Sequence, residues 1–250
     1  MFKNMKFLIF SLAVFIISGC VSGLQVPERG TVTEPSARPA PQAQKIPAGT
    51  LEDPIVDSDI TLAEALKKYA PEDFKKRQRM VEVLYYSFDG KVHRGQLVID
   101  ERLVSDIREV FRVVLESKFP ITSVVPISDP RFFKDGKWNE DDQSMLANNT
   151  SAFNYRKVTG GTKLSRHAYG FAIDINPALN PYIKGKKVLP PGAVYDKNRP
   201  GTLTADCAVV RTFLRLGWTW GGNWHSLKDY QHFEKIPAGA CVQGKKAKKH

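Results

Sequence analysis

The sequence predicts an α+β fold, a single domain built on a mostly antiparallel sheet flanked by helices. Three observations carry that expectation. Leu103, Ile107, Val110, Phe111, Val114 and Leu115 recur at offsets of 0, 4, 7, 8, 11 and 12, which is one apolar stripe of a helix. Phe171, Ile173 and Ile175 alternate with Gly170, Ala172 and Asp174, the period of a half-buried strand that carries its acid on the open face. Helical and strand-like stretches then follow one another in mixed order along the chain.

Taken in order, the chain begins with Lys3 and Lys6 ahead of an apolar stretch, residues 7–17, that ends in Ser18-Gly19-Cys20. This run is too short to span a bilayer and reads as the core of a signal peptide over residues 1–19. Residues 20–58 hold Pro27, Pro35, Pro39, Pro41 and Pro47 among small polar residues, without apolar periodicity. Such a segment cannot bury a core and is expected to be a disordered tether, with a coil reach of roughly 35 Å. The folded domain is expected over residues 59–242. Residues 61–79 are helical in pattern, although Pro71 interrupts them, and residues 80–88 and 95–99 are strand-like. The helix carrying the 103–115 stripe follows, then a strand over 121–127 and a polar loop over 129–149. Residues 176–201, rich in Pro, Asn and Gly, are expected to form a long rim loop. A second helix over 204–216 is stopped by Gly217. Residues 218–220 and 230–236 form closing strands, and residues 243–250 a basic tail.

Composition is that of a soluble globular protein, with 250 residues of which 42% are hydrophobic and 25% charged. The formal charge of +11 is unusual, and part of it is local, because Lys245, Lys246, Lys248 and Lys249 crowd the C-terminus. A basic surface suits an anionic polymer or membrane face, whereas a lysine-rich end is also an ordinary solvated tail. No segment has the pattern of a nucleic-acid-binding module, so nucleic acid is not an expected partner. Of three cysteines, Cys207 and Cys241 either pair as a disulfide or remain two buried thiols; neither has metal-ligand spacing.

The chemistry concentrates in Ser165-Arg166-His167-Ala168-Tyr169-Gly170-Phe171-Ala172-Ile173-Asp174 and in Asp229-Tyr230-Gln231-His232-Phe233-Glu234. Two imidazoles and a carboxylate are the protein ligands of a catalytic zinc ion that keeps a fourth position for water. His167, Asp174 and His232 are the expected ligands, and they place a zinc cleft on the sheet. His225 is the rival, whereas His93 and His250 read as ordinary core or surface histidines. A general base must lie within hydrogen-bond reach of the attacking water. Strict alternation puts Glu234 on the face of His232, while Asp229 requires a turn or bulge before the strand.

The S-x-H-x-x-G-x-A-x-D run with the distant D-x-x-H resembles the zinc D-Ala-D-Ala carboxypeptidase / L-Ala-D-Glu endopeptidase superfamily, which cuts peptidoglycan stem peptides. The likeness extends over residues 80–236 and includes Asn148-Asn149-Thr150-Ser151-Ala152-Phe153-Asn154-Tyr155-Arg156 and Gly217-Trp218-Thr219-Trp220-Gly221-Gly222. The resemblance implies that Asp229 is the general base and that Arg156 steadies the oxyanion. Ser165 is expected to bind substrate or orient the histidine loop, and Trp224 and Trp220 to line the cleft or fill the core. The carboxypeptidase branch carries Glu where Asp229 stands, which favours the endopeptidase activity. The alternative is a catalytically inactive cell-wall-binding lipoprotein of the same fold. Ile17-Ser18-Gly19-Cys20 also resembles a bacterial lipobox, implying lipidation of Cys20 and a membrane anchor. Val21 in place of an aspartate points, by resemblance to Gram-negative lipoproteins, to the outer membrane facing the periplasm. The oligomeric state is left open.

Overall fold

The structure, a computed structural model, describes residues 48–66, 70–134, 137–138, 140–158, 161–240 and 242. All of them belong to the second of two units of the chain, Gln44–His250. The signal segment, Cys20, most of the tether, Cys241 and the basic tail lie outside the described residues. Among the described residues no helix is long and apolar enough to cross a membrane.

The architecture is α+β, but the expected sheet is divided into small ones. The largest is a hairpin of Gln78–Tyr86 and Val92–Asp100, paired antiparallel from Gln78↔Asp100 to Tyr86↔Val92. Its turn closes through Gly90 N donating to Ser87 O at 3.0 Å and Lys91 N donating to Asp89 Oδ1 at 2.9 Å. Val81, Val83 and Tyr85 alternate into the core as period-two strand residues should. Onto the outer side of this hairpin Ile55–Val56 adds a parallel strand, with Ile55 opposite His93.

That third strand corrects the expected tether boundary, since residues 48–58 pack on the hairpin. Val92 N donates to Gly49 O and Asp57 N to Arg94 O, each at 2.9 Å. Ser58 is buried and donates to Gln96 Oε1 at 2.8 Å. Backbone pairing and polar side-chain contacts hold this segment, so apolar periodicity could not reveal it. His93, expected to be structural, contacts Asp57 at 2.9 Å through Nδ1 and Asp89 at 3.2 Å through Nε2.

The apolar stripe forms the helix Val104–Glu116, with Ile107, Val110, Phe111 and Val114 buried against the hairpin and Leu115 half-buried. The second helix, Ala208–Arg215, buries Val209, Val210 and Phe213 in the same core. It is shorter than the predicted 204–216, and Gly217, at φ 82°, ends it as expected. Cys207 caps this helix, its Sγ accepting from Val210 N at 3.5 Å, and it has no disulfide partner among the described residues.

Other expectations are corrected in detail. Within the lead-in over 61–79 the described residues form two one-turn helices, Leu62–Ala65, which ends at Leu66, and Glu72–Lys75, which begins directly after Pro71. The strand over 121–127 shrinks to Ser123–Val124, paired parallel with Asn149–Thr150. The supposed polar loop contains the helix Glu140–Leu146 and a short pairing of Phe133–Lys134 with Lys137–Trp138. The supposed rim loop contains a hairpin, Tyr182–Lys184 with Lys187–Leu189.

Gly170 fixes the approach to the functional strand. It follows the 3-10 turn Arg166–Tyr169 at φ 67°, a left-handed conformation that favours glycine. A Cβ there would meet Gln78 Oε1 at 2.2 Å and Asp100 N at 2.7 Å. Gly170→Ala is therefore expected to cost on the order of 2 kcal/mol or more, read as a lower denaturation midpoint in urea.

Candidate active site

The functional strand, Ala172–Asp174, lies beside His232–Glu234, which pairs in turn with Thr219–Trp220. The pairing is antiparallel, with His232 directly opposite Asp174, Phe233 opposite Ile173 and Glu234 opposite Ala172. Two of the expected ligands are thus a cross-strand pair, which places side chains on the same face of the sheet. The strand is buried on both faces rather than half-buried, because Ala172 packs away from water as fully as Ile173 does. His167 arrives from the 3-10 turn just upstream, where Ser165 Oγ accepts from His167 N at 3.3 Å.

The three side chains converge. His167 Nε2 lies 3.2 Å from His232 Nδ1 and 3.2 Å from Asp174 Oδ2, and His232 Nδ1 lies 3.0 Å from Asp174 Oδ1. One donor atom from each lies within 4.8 Å of the others, and all three residues are buried. This cluster could hold a metal ion. The tautomer of His167 suits the role, since its Nδ1 sits 2.6 Å from Ala152 O. A carbonyl only accepts, so Nδ1 carries a proton, which leaves Nε2 as the nitrogen that a metal would take. His225 is exposed and outside the cluster.

Charge in the cluster is balanced internally. Burial opposes ionisation of Asp174, but attraction to His167 and hydrogen bonds to both imidazoles outweigh it and hold the carboxyl well below its usual range. Burial likewise opposes a charge on His232, yet hydrogen bonds to Asp174 and Glu234 raise its pKa to about 10. A divalent cation would replace the proton in this arrangement, and an acid with two imidazoles is a donor set that suits it.

Asp229 stands apart from this balance. It sits in Lys228–Asp229, which belongs to a different sheet and pairs with Tyr182–Lys184, Asp229 opposite Tyr182. Between Asp229 and His232 the chain changes sheets, with Tyr230 N donating to Pro181 O at 3.3 Å and Ile175 N to Gln231 O at 3.0 Å. The turn at Tyr230 and Gln231, as expected of a turn or bulge before the strand, carries the chain from one sheet to the other and brings Asp229 beside the cluster. Asp229 Oδ1 is buried without a hydrogen-bond partner among the described residues. Burial, only partly offset by His232, raises the Asp229 pKa to about 6. Gly221 keeps that position open, because a Cβ there would meet Asp229 O at 2.4 Å and Asp229 Cβ at 2.8 Å.

These groups line a cleft of about 430 Å³. Arg156 and Ser165 lie on its wall, together with Trp224, whose ring centroid is 5.5 Å from that of His232. Trp220 does not line the cleft; it is buried, with Nε1 donating to Tyr230 O at 2.8 Å. Arg156 Nε lies 3.0 Å from Asp141 Oδ2, and Asn154 Nδ2 donates to Asp141 Oδ1 at 3.0 Å. The arginine thus faces the cleft while tied to an acid on the helix Glu140–Leu146. Sequence reasoning missed Asp141 and the Ala152 carbonyl. Asp141 lies in a stretch that reads as loop, and a main-chain acceptor leaves no residue signature. Glu234, which strict alternation puts on the face of His232, has Oε2 3.3 Å from His232 Nε2.

Three convergent donors with an unpaired acid beside them in a cleft are what metal-assisted hydrolysis requires. A family model described as D-alanyl-D-alanine carboxypeptidase matches residues 159–235, the stretch that contains the three donors and Asp229. The match supports a metallopeptidase family and a peptidase activity. It is narrower than the likeness read from the sequence and leaves Arg156 outside. No curated protein and no solved structure matches the chain.

Proposed function

We propose that the chain is a zinc-dependent peptidase that hydrolyses an amide bond in peptidoglycan stem peptides. The observation that carries this reading is the convergence of His167, Asp174 and His232 within 4.8 Å beside the unpaired carboxylate of Asp229. His167, Asp174 and His232 would hold the ion. Bound zinc supplies Lewis acidity to water and to the scissile carbonyl.

The remaining steps belong to the chain's own residues. Asp229 accepts the proton of the attacking water and returns it to the departing amine, a task suited to a carboxylate whose pKa burial has raised toward neutrality. Arg156 opposes the negative charge that develops on the carbonyl oxygen, with Asp141 holding its guanidinium in place. Trp224 offers an apolar wall to the peptide, and Ser165 holds the turn that carries His167.

Cleavage between L-Ala and D-Glu is favoured over removal of terminal D-Ala, because Asp229 stands where the resembling carboxypeptidases carry Glu. Lipidation of Cys20 in the outer membrane, with the Pro-rich segment as a leash into the periplasm, would bring the site to its polymer. A defined muropeptide incubated with the protein should yield a fragment cut after L-Ala, seen by mass spectrometry, and a chelator should abolish it. Loss of D-Ala alone would reassign the bond, and no cleavage in zinc would leave a binding protein.

A further inference from the structure

We propose that Glu234 is a positioning residue that fixes the His232 ring so that Nδ1, and not Nε2, is the nitrogen offered to the metal. The inference rests on the metal-site reading above. Glu234 and His232 are two residues apart on one strand, so their side chains share a face. Ala172 is the cross-strand partner of Glu234, and its methyl group leaves the carboxylate room to fold back toward the imidazole. Glu234 Oε2 then lies 3.3 Å from His232 Nε2. An ionised carboxylate only accepts, so this contact keeps a proton on Nε2, and the proton that a cation would replace is the one on Nδ1, held against Asp174. Nδ1 is the atom 3.0 Å from Asp174 Oδ1 and 3.2 Å from His167 Nε2.

The carboxylate is itself held from a second element. Arg166 Nε lies 3.8 Å from the same Oε2, and Arg166 belongs to the 3-10 turn that carries His167. A guanidinium, a carboxylate and an imidazole thus tie the strand of one ligand to the turn of another. The same geometry separates Glu234 from the chemistry. It touches the imidazole at Nε2, and the donor atoms of the cluster gather at Nδ1, on a different edge of the ring. Asp229, reached through the other sheet, is the acid left free to meet water.

The test is zinc affinity, measured by competition with a chromogenic chelator, for wild type, Glu234→Met and Glu234→Gln. Methionine keeps the length of the side chain and removes the acceptor; glutamine keeps an acceptor oxygen and removes the charge. Glu234→Met is expected to bind zinc about 10–100-fold more weakly, and Glu234→Gln to recover most of that loss. Hydrolysis by Glu234→Met should return at saturating zinc, which loss of a reacting group would not allow. Wild-type affinity in Glu234→Met would overturn the clamp. So would a zinc-loaded Glu234→Met that stays inactive, since that makes Glu234 a catalytic group. Should Glu234→Met not fold, Glu234→Gln with a His232 Nε2–H resonance missing in nitrogen-15 spectra would overturn it equally. A wild-type chain that takes up no zinc would overturn the metal reading as well.

Discussion

Asp229→Asn is expected to keep its zinc and lose hydrolysis, by roughly 10²–10⁴-fold in kcat, the range of a removed general base. Among the described residues it makes no hydrogen bond to the three donors and its Oδ1 lacks a partner, so the amide fits without displacing the cluster. Metal content by mass spectrometry and turnover of a muropeptide measure the two halves of the prediction. Wild-type activity in this variant would remove Asp229 from the mechanism.

The same substitution has a signed effect on stability in the metal-free chain. Burial raises the folded-state pKa of Asp229 to about 6, above its value in the unfolded chain. Stability from the protonated form is therefore fully present below about pH 4 and is lost as pH rises through 6. An asparagine does not ionise, so metal-free Asp229→Asn should be the more stable protein at pH 8, by about 2–3 kcal/mol. At pH 4 the difference should vanish. Urea unfolding at the two pH values, with chelator present, reads it directly. A group retained against stability is common where chemistry needs a poised acid.

Asp174→Asn carries the second large effect. Asp174 is the anion against which both imidazoles are balanced. Its neutral replacement is expected to leave the purified protein without stoichiometric zinc and without hydrolysis, by metal analysis and the same muropeptide assay. In the metal-free chain it removes the partner that keeps His232 charged. His232 has a folded-state pKa raised to about 10, so its stabilising charge is fully present below the unfolded value near 6.5 and is lost only as pH rises through 10. At pH 7 the substitution should cost on the order of 3 kcal/mol, with the difference from wild type shrinking above pH 10. Zinc retained by Asp174→Asn would mean that the ion is held elsewhere.

The donors were legible because each sits in a short pattern whose spacing has a structural cause. The run from Gly170 onward reads as a strand, and Ala172–Asp174 forms one, while Gly170 instead closes the preceding 3-10 turn. What it could not show is that Asp174 faces His232 across the sheet, since pairing joins residues 58 apart. Asp229 needs a turn or bulge before the strand to reach His232, and the turn at Tyr230 and Gln231 supplies it, but nothing in the sequence shows that the chain changes sheets there. Strands of two or three residues are too short to display a period, which is why one predicted sheet became several. The helix Val104–Glu116 was read nearly to its ends because it is long and strongly amphipathic. The helix Glu140–Leu146 was missed because Glu-Asp-Asp-Gln-Ser-Met-Leu looks like solvent-facing loop. The ordered residues 48–58 were missed because main-chain hydrogen bonds, not apolar side chains, hold them.

The facing of Asp174 and His232 across two strands has a mechanical side. An ion shared by both would act as a cross-link in a chain loop of 58 residues, closing the last strand onto the interior. Occupancy of the site and the docking of the C-terminal segment would then rise and fall together, so that a chain stripped of its ion frays first at the very strand that carries its ligand.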